Sequence, residues 1–401
     1  MSSPTDRPAF PRGGLLALAI GQGVASFAYY GATPSFGALA KDWTGTLLAA
    51  GAVFACGVLP AMVLGPFMSS ILDRTSHRWA LVLANAACAV ACAALLLFLG
   101  RVTALYWATL ALAVCNLISM ICRNAAIPGL VSPARLVTAN AALNAAIMLG
   151  RLAGPAVMGR FTDTLGAAPA YVALCVLFAL ASLCSLYLPA TEATPRGLDV
   201  MRDTWAGLRY ALTTPLLRAL ITSWAIYFFA GGAINIAEFA LSVSVFGTGA
   251  ATGYGFFMSV AGGGSVIGSA LAARFMRHDA FSSFVMGGLL AGLITMALAV
   301  APTLVSALAV VFCAGICEAF RVVASNALIQ RSSREDMLSR VFGAQMALAA
   351  LGMGTAYLVA GALLDILGLR FLIIIASGLM AVSGPIALWM VRRAGVKADT
   401  V

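Results

Sequence analysis

The chain has 401 residues; 62% are apolar and 9% are charged, against about 45–50% and about 25% in soluble domains. So few charges cannot cover a soluble globule, and so apolar a composition excludes a disordered chain. What remains is an integral membrane protein of many helices, with room for about twelve spans at about 30 residues per span and loop. The net charge of +10 would suggest nucleic acid in a soluble protein. Here the basic residues are scattered over short hydrophilic gaps, the pattern of loops held on the cytoplasmic side, so no nucleic-acid partner is expected.

The first twelve residues, MSSPTDRPAFPR, are short and polar. The apolar run that follows exceeds 20 residues, too long for a signal-peptide core, and reads as a retained first span. Further runs long enough to span bring the first set to 14–39, 46–71, 79–99, 104–128, 137–163 and 168–188. A second set lies at 215–246, 252–273, 281–301, 304–329, 339–364 and 370–391. The longest polar stretch, Pro189 to Thr214, separates six spans from six. Within it Trp205, Leu208 and Leu212 fall at helical spacing, which predicts a short surface helix. The expected organisation is an N-terminal six-helix bundle (1–190), a cytoplasmic linker (191–213) and a C-terminal six-helix bundle (214–401).

Loop charges set the orientation. With the N-terminus inside, seventeen Lys and Arg fall on the cytoplasmic side, four outside, and Arg123, Arg151 and Arg321 within spans. Both termini are therefore expected in the cytoplasm, in a multi-pass membrane protein. All nine cysteines fall in apolar runs without a C-x-x-C spacing, and His77 and His278 are the only histidines. Neither a disulfide framework nor a metal site is expected. Gly262 to Gly264 follow no strand and precede no G-K-[ST], so they are packing glycines rather than a phosphate loop, and no cofactor is expected.

The two halves repeat with an offset of 202: Asn124 meets Asn326, Gly150 meets Gly352, Asp163 meets Asp365 and Gly166 meets Gly368. Both matched segments follow a basic loop, so the repeat keeps its membrane orientation. Parallel six-span repeats place a pathway at their mutual interface.

Four stretches stand out: G-P-F-M-S-S-I-L-D-R-T-S-H-R (Gly65 to Arg78); R-N-A-A-I-P-G-L-V (Arg123 to Val131) with L-V-T-A-N-A (Leu136 to Ala141); G-R-L-A-G-P-A-V-M-G (Gly150 to Gly159); and Q-R-S-S-R-E-D-M-L-S-R-V (Gln330 to Val341). In order and spacing they resemble the major facilitator superfamily, and more narrowly its drug and siderophore exporter branch, the group that includes the enterobactin exporter. The resemblance covers nearly the whole chain. It departs where the signature glycine four residues before Asp73 is Ser69, where His77 replaces the first of a basic pair, and near Gly268, where Arg274 has no acid beside it. It implies an all-α fold of twelve transmembrane helices in two six-helix bundles, a non-enzymatic transporter working by alternating access, and proton-coupled export of an amphipathic drug, siderophore or secondary metabolite. The runners-up are a nutrient uptake permease and a lysophospholipid flippase; from another class, a transport-dead membrane sensor. The expected partners are a small-molecule substrate, protons and the lipid bilayer, with the protein a monomer.

Candidate residues follow from chemistry and resemblance together. Asp73 and Arg74, where span two leaves the membrane, are a topology anchor or, as the resemblance implies, a cytoplasmic gate with Arg78 and with Arg340 at the start of span eleven. Gly150, Gly154, Pro155 and Gly159 thin and bend span five; the resemblance implies the antiporter motif of exporters. Ionisable groups within apolar runs are expensive and mark pathways. Glu318 and Arg321, three apart, predict a neutralising pair. Glu238 has no basic residue within a turn, which makes it the first proton-coupling candidate, with Glu318 the second. Gln22, Tyr29, Tyr30, Asn116, Tyr227, Asn235 and Arg321 are the candidates for a broad, mostly apolar cavity wall with few directional contacts.

Overall fold

The computed structural model describes residues 13–65, 68, 72, 75–131, 136–188, 200–275, 280–334 and 337–395. The elements are α1 (Gly13–Thr44), α2 (Leu47–Val63), α3 (His77–Ala94), α4 (Val102–Leu130), α5 (Leu136–Leu165) and α6 (Ala167–Leu186). After them come α7 (Val200–Thr213), α8 (Pro215–Ser244), α9 (Ala250–Phe275), α10 (Ala280–Met296), α11 (Leu304–Ser332), α12 (Leu338–Leu367) and α13 (Leu369–Arg393). Eleven of the described helices are long and apolar enough to cross a membrane; α2 is apolar but shorter within the described residues. The fold is an all-helical, multi-pass membrane bundle.

The internal repeat extends to helix boundaries. α4 and α5 begin at Val102 and Leu136, and α11 and α12 begin 202 positions later at Leu304 and Leu338. A 3-10 turn follows α3 at Leu95–Phe98, and its counterpart follows α10 at Ala297–Val300. Gly166 and Gly368 end α5 and α12 with φ of 89° and 77° and an extended ψ, a region open essentially to glycine alone. One residue thereby reverses the chain in each half.

Helices α1 to α6 pack on one another, chiefly α1 on α5 and α6, α3 on α4 and α6, and α2 on α4. Helices α8 to α13 do the same, with α8 on α12 and α13, α9 on α11, and α10 on α11 and α13. The two groups meet through α5 against α9 and α2 against α12, with a smaller contact of α1 on α9.

The surface helix expected in the polar stretch is α7, and its packed face is not the stripe that carries Trp205 and Leu212. Trp205 and Leu212 are exposed, while Gly207 and Ala211 are buried. A Cβ at Gly207 would strike Arg340 at the start of α12. Close approach to α12 selects the small residues and turns the bulky stripe outward.

Candidate functional site

The two ends of the bundle are distinguished by α7: the linker end carries α7 and the starts of α1, α5, α8 and α12, and the far end lies opposite. The halves touch closely in the far half. The Asp163 carboxylate, in the last turn of α5, accepts hydrogen bonds from the backbone N–H of Thr252 (2.6 Å) and of Ala251 (3.4 Å). Those amides belong to the first turn of α9, where N–H groups lack intrahelical partners and the helix dipole favours an anion. Gly249 makes room, since a Cβ there would strike the Asp163 carboxylate. Along the same seam Gly159 lies on the carbonyl of Ala251, Gly255 lies on the carbonyl of Pro155, and the Ala156 N–H donates to Ser259 Oγ at 3.2 Å. Gly150 and Gly154, by contrast, receive the backbone of α1 around Gly23 and Phe27 within the first bundle. The span-five motif therefore serves two interfaces.

Beside this seam Phe54 of α2 enters a ring cluster of the second bundle. Its centroid lies 5.1 Å from Tyr254 in a stacked arrangement, and 5.8 and 5.6 Å from Phe239 and Tyr357 edge-on. Asn235 Nδ2 donates to the Tyr357 hydroxyl at 3.0 Å. Phe54, Phe239, Tyr254 and Tyr357 are almost fully enclosed, so the rings plug the far end.

Toward the linker end the halves part. There α9 buries only the stripe Gly264, Gly268 and Ala272 and exposes Val266, Ile267, Ser269, Ala270 and Leu271. Helix α5 likewise buries Ala139, Leu143, Ile147 and Gly150 while Ala142, Ala145, Met148, Leu149 and Arg151 are exposed. The central space is closed at the far end and open at the linker end.

Arg151, about midway along α5, points into that space. Its guanidinium carbon lies 5.1 Å from the Tyr30 ring centroid on α1, and its charge reaches Tyr29 and, across the interface, Glu318 of α11. Glu318 is partly exposed and feels the charges of both Arg151 and Arg321. Glu238 is 7% exposed, and Glu318 is the acidic side chain within electrostatic reach of it. Arg123 is partly exposed and feels Tyr30.

Arg321 corrects the sequence reading twice. It is fully buried rather than on the cavity wall. It is also not ion-paired with Glu318: among the described residues no carboxylate oxygen comes within 4.0 Å of it. Its guanidinium instead sits 4.7, 4.6 and 4.2 Å from the ring centroids of Trp224, Tyr227 and Phe284, and Nη2 donates to Ser223 Oγ at 2.8 Å. Helical spacing put the two side chains on one face, but three rings on neighbouring helices captured the cation. Tyr227, another candidate for the wall, is 2% exposed because it forms one side of this cage.

Other candidates scatter. Gln22, Tyr29 and Asn116 line a cavity of about 10 Å³ inside the first bundle, between α1, α3, α4 and α6, a volume suited to one water molecule. Gln22 is 2% exposed and so lies off the central space. Tyr29 also donates from its hydroxyl to the Gly57 carbonyl at 3.2 Å. Arg78 lies over the Trp79 ring at 5.4 Å, and Arg340 packs on Gly207 of α7. Asp73 and Arg74 lie outside the described residues. A larger cavity, about 350 Å³, faces outward between α3 and α4 beside Arg101 and Trp107, away from all these groups. The described residues contain no cluster of three His, Cys, Asp or Glu placed to hold a metal ion. Sequence reasoning missed the role of Asp163 and of the four plug aromatics; the only signal was the repeat match of Asp163 to Asp365.

The sequence profile of the Major Facilitator Superfamily matches residues 18–355. The chain belongs to this superfamily. No curated protein sequence matches it significantly. Among solved structures it is similar to the nucleoside transporter NupG, with a TM-score of 0.76 at 14% identity over 94% of this chain and 98% of that one. It is also similar to the human organic anion transporter MFSD10, with a TM-score of 0.68 at 16% identity over 95% of this chain and 100% of that one. A bacterial homolog of the human lysosomal transporter Spinster, inward-facing and unoccupied, gives a TM-score of 0.71 at 14% identity, covering 94% and 96%. The protein is a secondary-active membrane transporter of this superfamily and not an enzyme.

Proposed function

We propose that the protein exports amphipathic small molecules by proton-coupled alternating access, as a monomer in a bacterial inner membrane. The observation that carries the reading is the asymmetry of the central space: far end sealed by Asp163 on α9 and by the Phe54 plug, linker end open. That is one of the two states alternating access requires. By the excess of positive charge at its loops the linker end is the cytoplasmic side, with both termini there. The protein shares its fold with a bacterial Spinster homolog described as inward-facing.

In this reading the moving bodies are residues 1–190 and 214–401, joined by the linker 191–213. Asp163 is the outer latch. Asp73, Arg74, Arg78 and Arg340 form its cytoplasmic counterpart when the halves close there. Pro155 and Gly159 seat the two halves at the outer seam, while Gly150 and Gly154 shape α5 against α1. Tyr30, Arg151, Asn235 and Glu318 meet the substrate, and Glu238, buried beside the plug, carries the coupling proton.

Two measurements test the reading. Small molecules inside and outside cells lacking or overproducing the protein are compared; export predicts a compound retained in the deletion strain and enriched outside the overproducer. The opposite distribution means uptake. In proteoliposomes with that compound, Glu238→Gln is expected to abolish pH-gradient-driven flux and to keep downhill exchange. Retained pH-driven flux in this variant removes Glu238 as the coupling group.

A further inference from the structure

The ionisable groups within the spans do not cancel. Among the described residues deep in the spans, Arg123, Arg151 and Arg321 stand against Glu238 and Glu318, so even with both acids ionised one positive charge is left over. Membrane interiors retain such a surplus only where something answers it. The three cations differ in availability. Arg321 is sealed in its cage of Trp224, Tyr227 and Phe284, with Ser223 taking one of its N–H groups. Arg123 is partly covered and lies near the linker end, within reach of water and headgroups. Arg151 is exposed midway along α5, and among the described residues no carboxylate oxygen lies within 4.0 Å of it.

The surroundings of Arg151 show why it faces protein space and not lipid. One neighbour is Tyr30 on α1, at 5.1 Å; another is Glu318 on α11 of the opposite half. Glu318 is within electrostatic reach of two arginines, Arg151 and Arg321, so any negative charge it carries is shared between them. It therefore leaves Arg151 under-compensated. The Tyr30 ring lies 5.1 Å from the guanidinium carbon, and among the described residues no hydrogen-bond acceptor takes the N–H groups. A planar edge of paired donors matches the two oxygens of a carboxylate, a match an ammonium cannot offer. Exposed Ala145, Met148 and Leu149 on the same helix, with the Tyr30 ring, offer apolar surface for the body of the same molecule.

We infer that the substrate carries a carboxylate on an aromatic or otherwise apolar body, and that Arg151, backed by Tyr30, is the residue that receives it. This rests on the transporter reading above and gives that reading a substrate class. Glu318, across the space, then guards against a second anionic group and admits a hydrogen-bond donor.

The test uses the full-length protein in detergent and two probes with the same ring system, naphthalene-2-acetate and 2-(2-naphthyl)ethylammonium, titrated calorimetrically. The acetate is expected to bind at least about tenfold more tightly than the ammonium. Arg151→Gln is expected to weaken the acetate at least about tenfold and not to weaken the ammonium. Arg151→Lys should recover part of the loss, because it keeps the charge without the fork. Tyr30→Leu should weaken the acetate about two- to fivefold, the range for an exposed cation–ring contact. Thermal unfolding midpoints report whether each variant is folded. Absence of saturable acetate binding, tighter binding of the ammonium, or acetate binding indifferent to both Arg151→Gln and Tyr30→Leu overturns the inference. If the ammonium binds more tightly than the acetate and Glu318→Gln removes that binding, the substrate class is wrong while the transporter reading stands. That reading fails separately, if the two ends of the molecule never exchange accessibility.

Discussion

Asp163 and Thr252 join the two halves of the molecule: the carboxylate at the end of α5 takes the backbone N–H of Thr252, 2.6 Å away, in the first turn of α9. A charge at a helix start contributes about 0.3–1 kcal/mol, and up to about 2 in partly buried settings. Asp163→Asn keeps the shape and loses the charge. It should therefore shift the equilibrium toward the far-end-open state by about two- to thirtyfold. The check is labelling of a Thr252→Cys variant by a membrane-impermeant thiol reagent applied from the far side. The cysteine keeps its backbone N–H, and faster labelling in the Asp163→Asn background is the expected result. Equal rates would mean the latch carries no energy.

Gly249→Ala should act through the same contact. The added methyl group would collide with the Asp163 carboxylate, so the variant opens the far end much as Asp163→Asn does. Because both changes break one interaction, their combination should be far from additive. A double-mutant cycle on labelling rates measures this; additive effects would place Gly249 outside the latch.

The span-five glycines divide by partner. Gly154→Ala pushes on the Phe27 backbone within the first bundle and should lower the thermal midpoint, since overpacking costs about 1–3 kcal/mol. Gly159→Ala pushes on Ala251 of the other half. It should leave the midpoint nearly unchanged and instead favour the far-end-open state. Thermal unfolding combined with the Thr252→Cys labelling separates the two; equal loss of stability in both would refute the division.

How much of this the sequence disclosed depends on the kind of information involved. Spans follow from local composition, and an offset found in a few identities locates Leu304, Leu338, Ala297 and Gly368 as structural counterparts of Val102, Leu136, Leu95 and Gly166. Contacts between helices are another matter. Glu318 and Arg321 share a helical face, and nothing in α11 reveals that Trp224 and Phe284 come from α8 and α10 to enclose the arginine. Phe54 and Tyr254 are 200 residues apart and meet only because the halves close. Asp163 was visible as a repeated acid, but its partner is a backbone group, which leaves no residue-type signal. Trp205 shows the converse: its stripe is legible, and the helix rests on Gly207 instead.

The cage around Arg321 leads to a stability prediction opposite to that of a Glu318–Arg321 pair. Arg321→Ala removes three ring contacts and leaves Ser223 without its donor, so it should cost at least about 2 kcal/mol. Arg321→Lys should not restore stability, because an ammonium lacks the flat faces the rings engage. Glu318→Gln should leave the unfolding midpoint close to wild type. A large loss in Glu318→Gln with tolerance of Arg321→Lys would restore the simple ion pair.

The central claim is that the far end and the linker end open alternately. Spin labels at Leu165 and Val245, both exposed at the far end, and at Ala142 and Ala270, both exposed at the linker end, report the two gaps in a variant without native cysteines. Pulsed electron–electron distance measurements in lipid nanodiscs should show two populations for each pair, changing in opposite directions. Asp163→Asn should lengthen the Leu165–Val245 distance and shorten the Ala142–Ala270 distance together. A single unchanged distance at the far end, in wild type and in Asp163→Asn alike, would contradict alternating access in this protein.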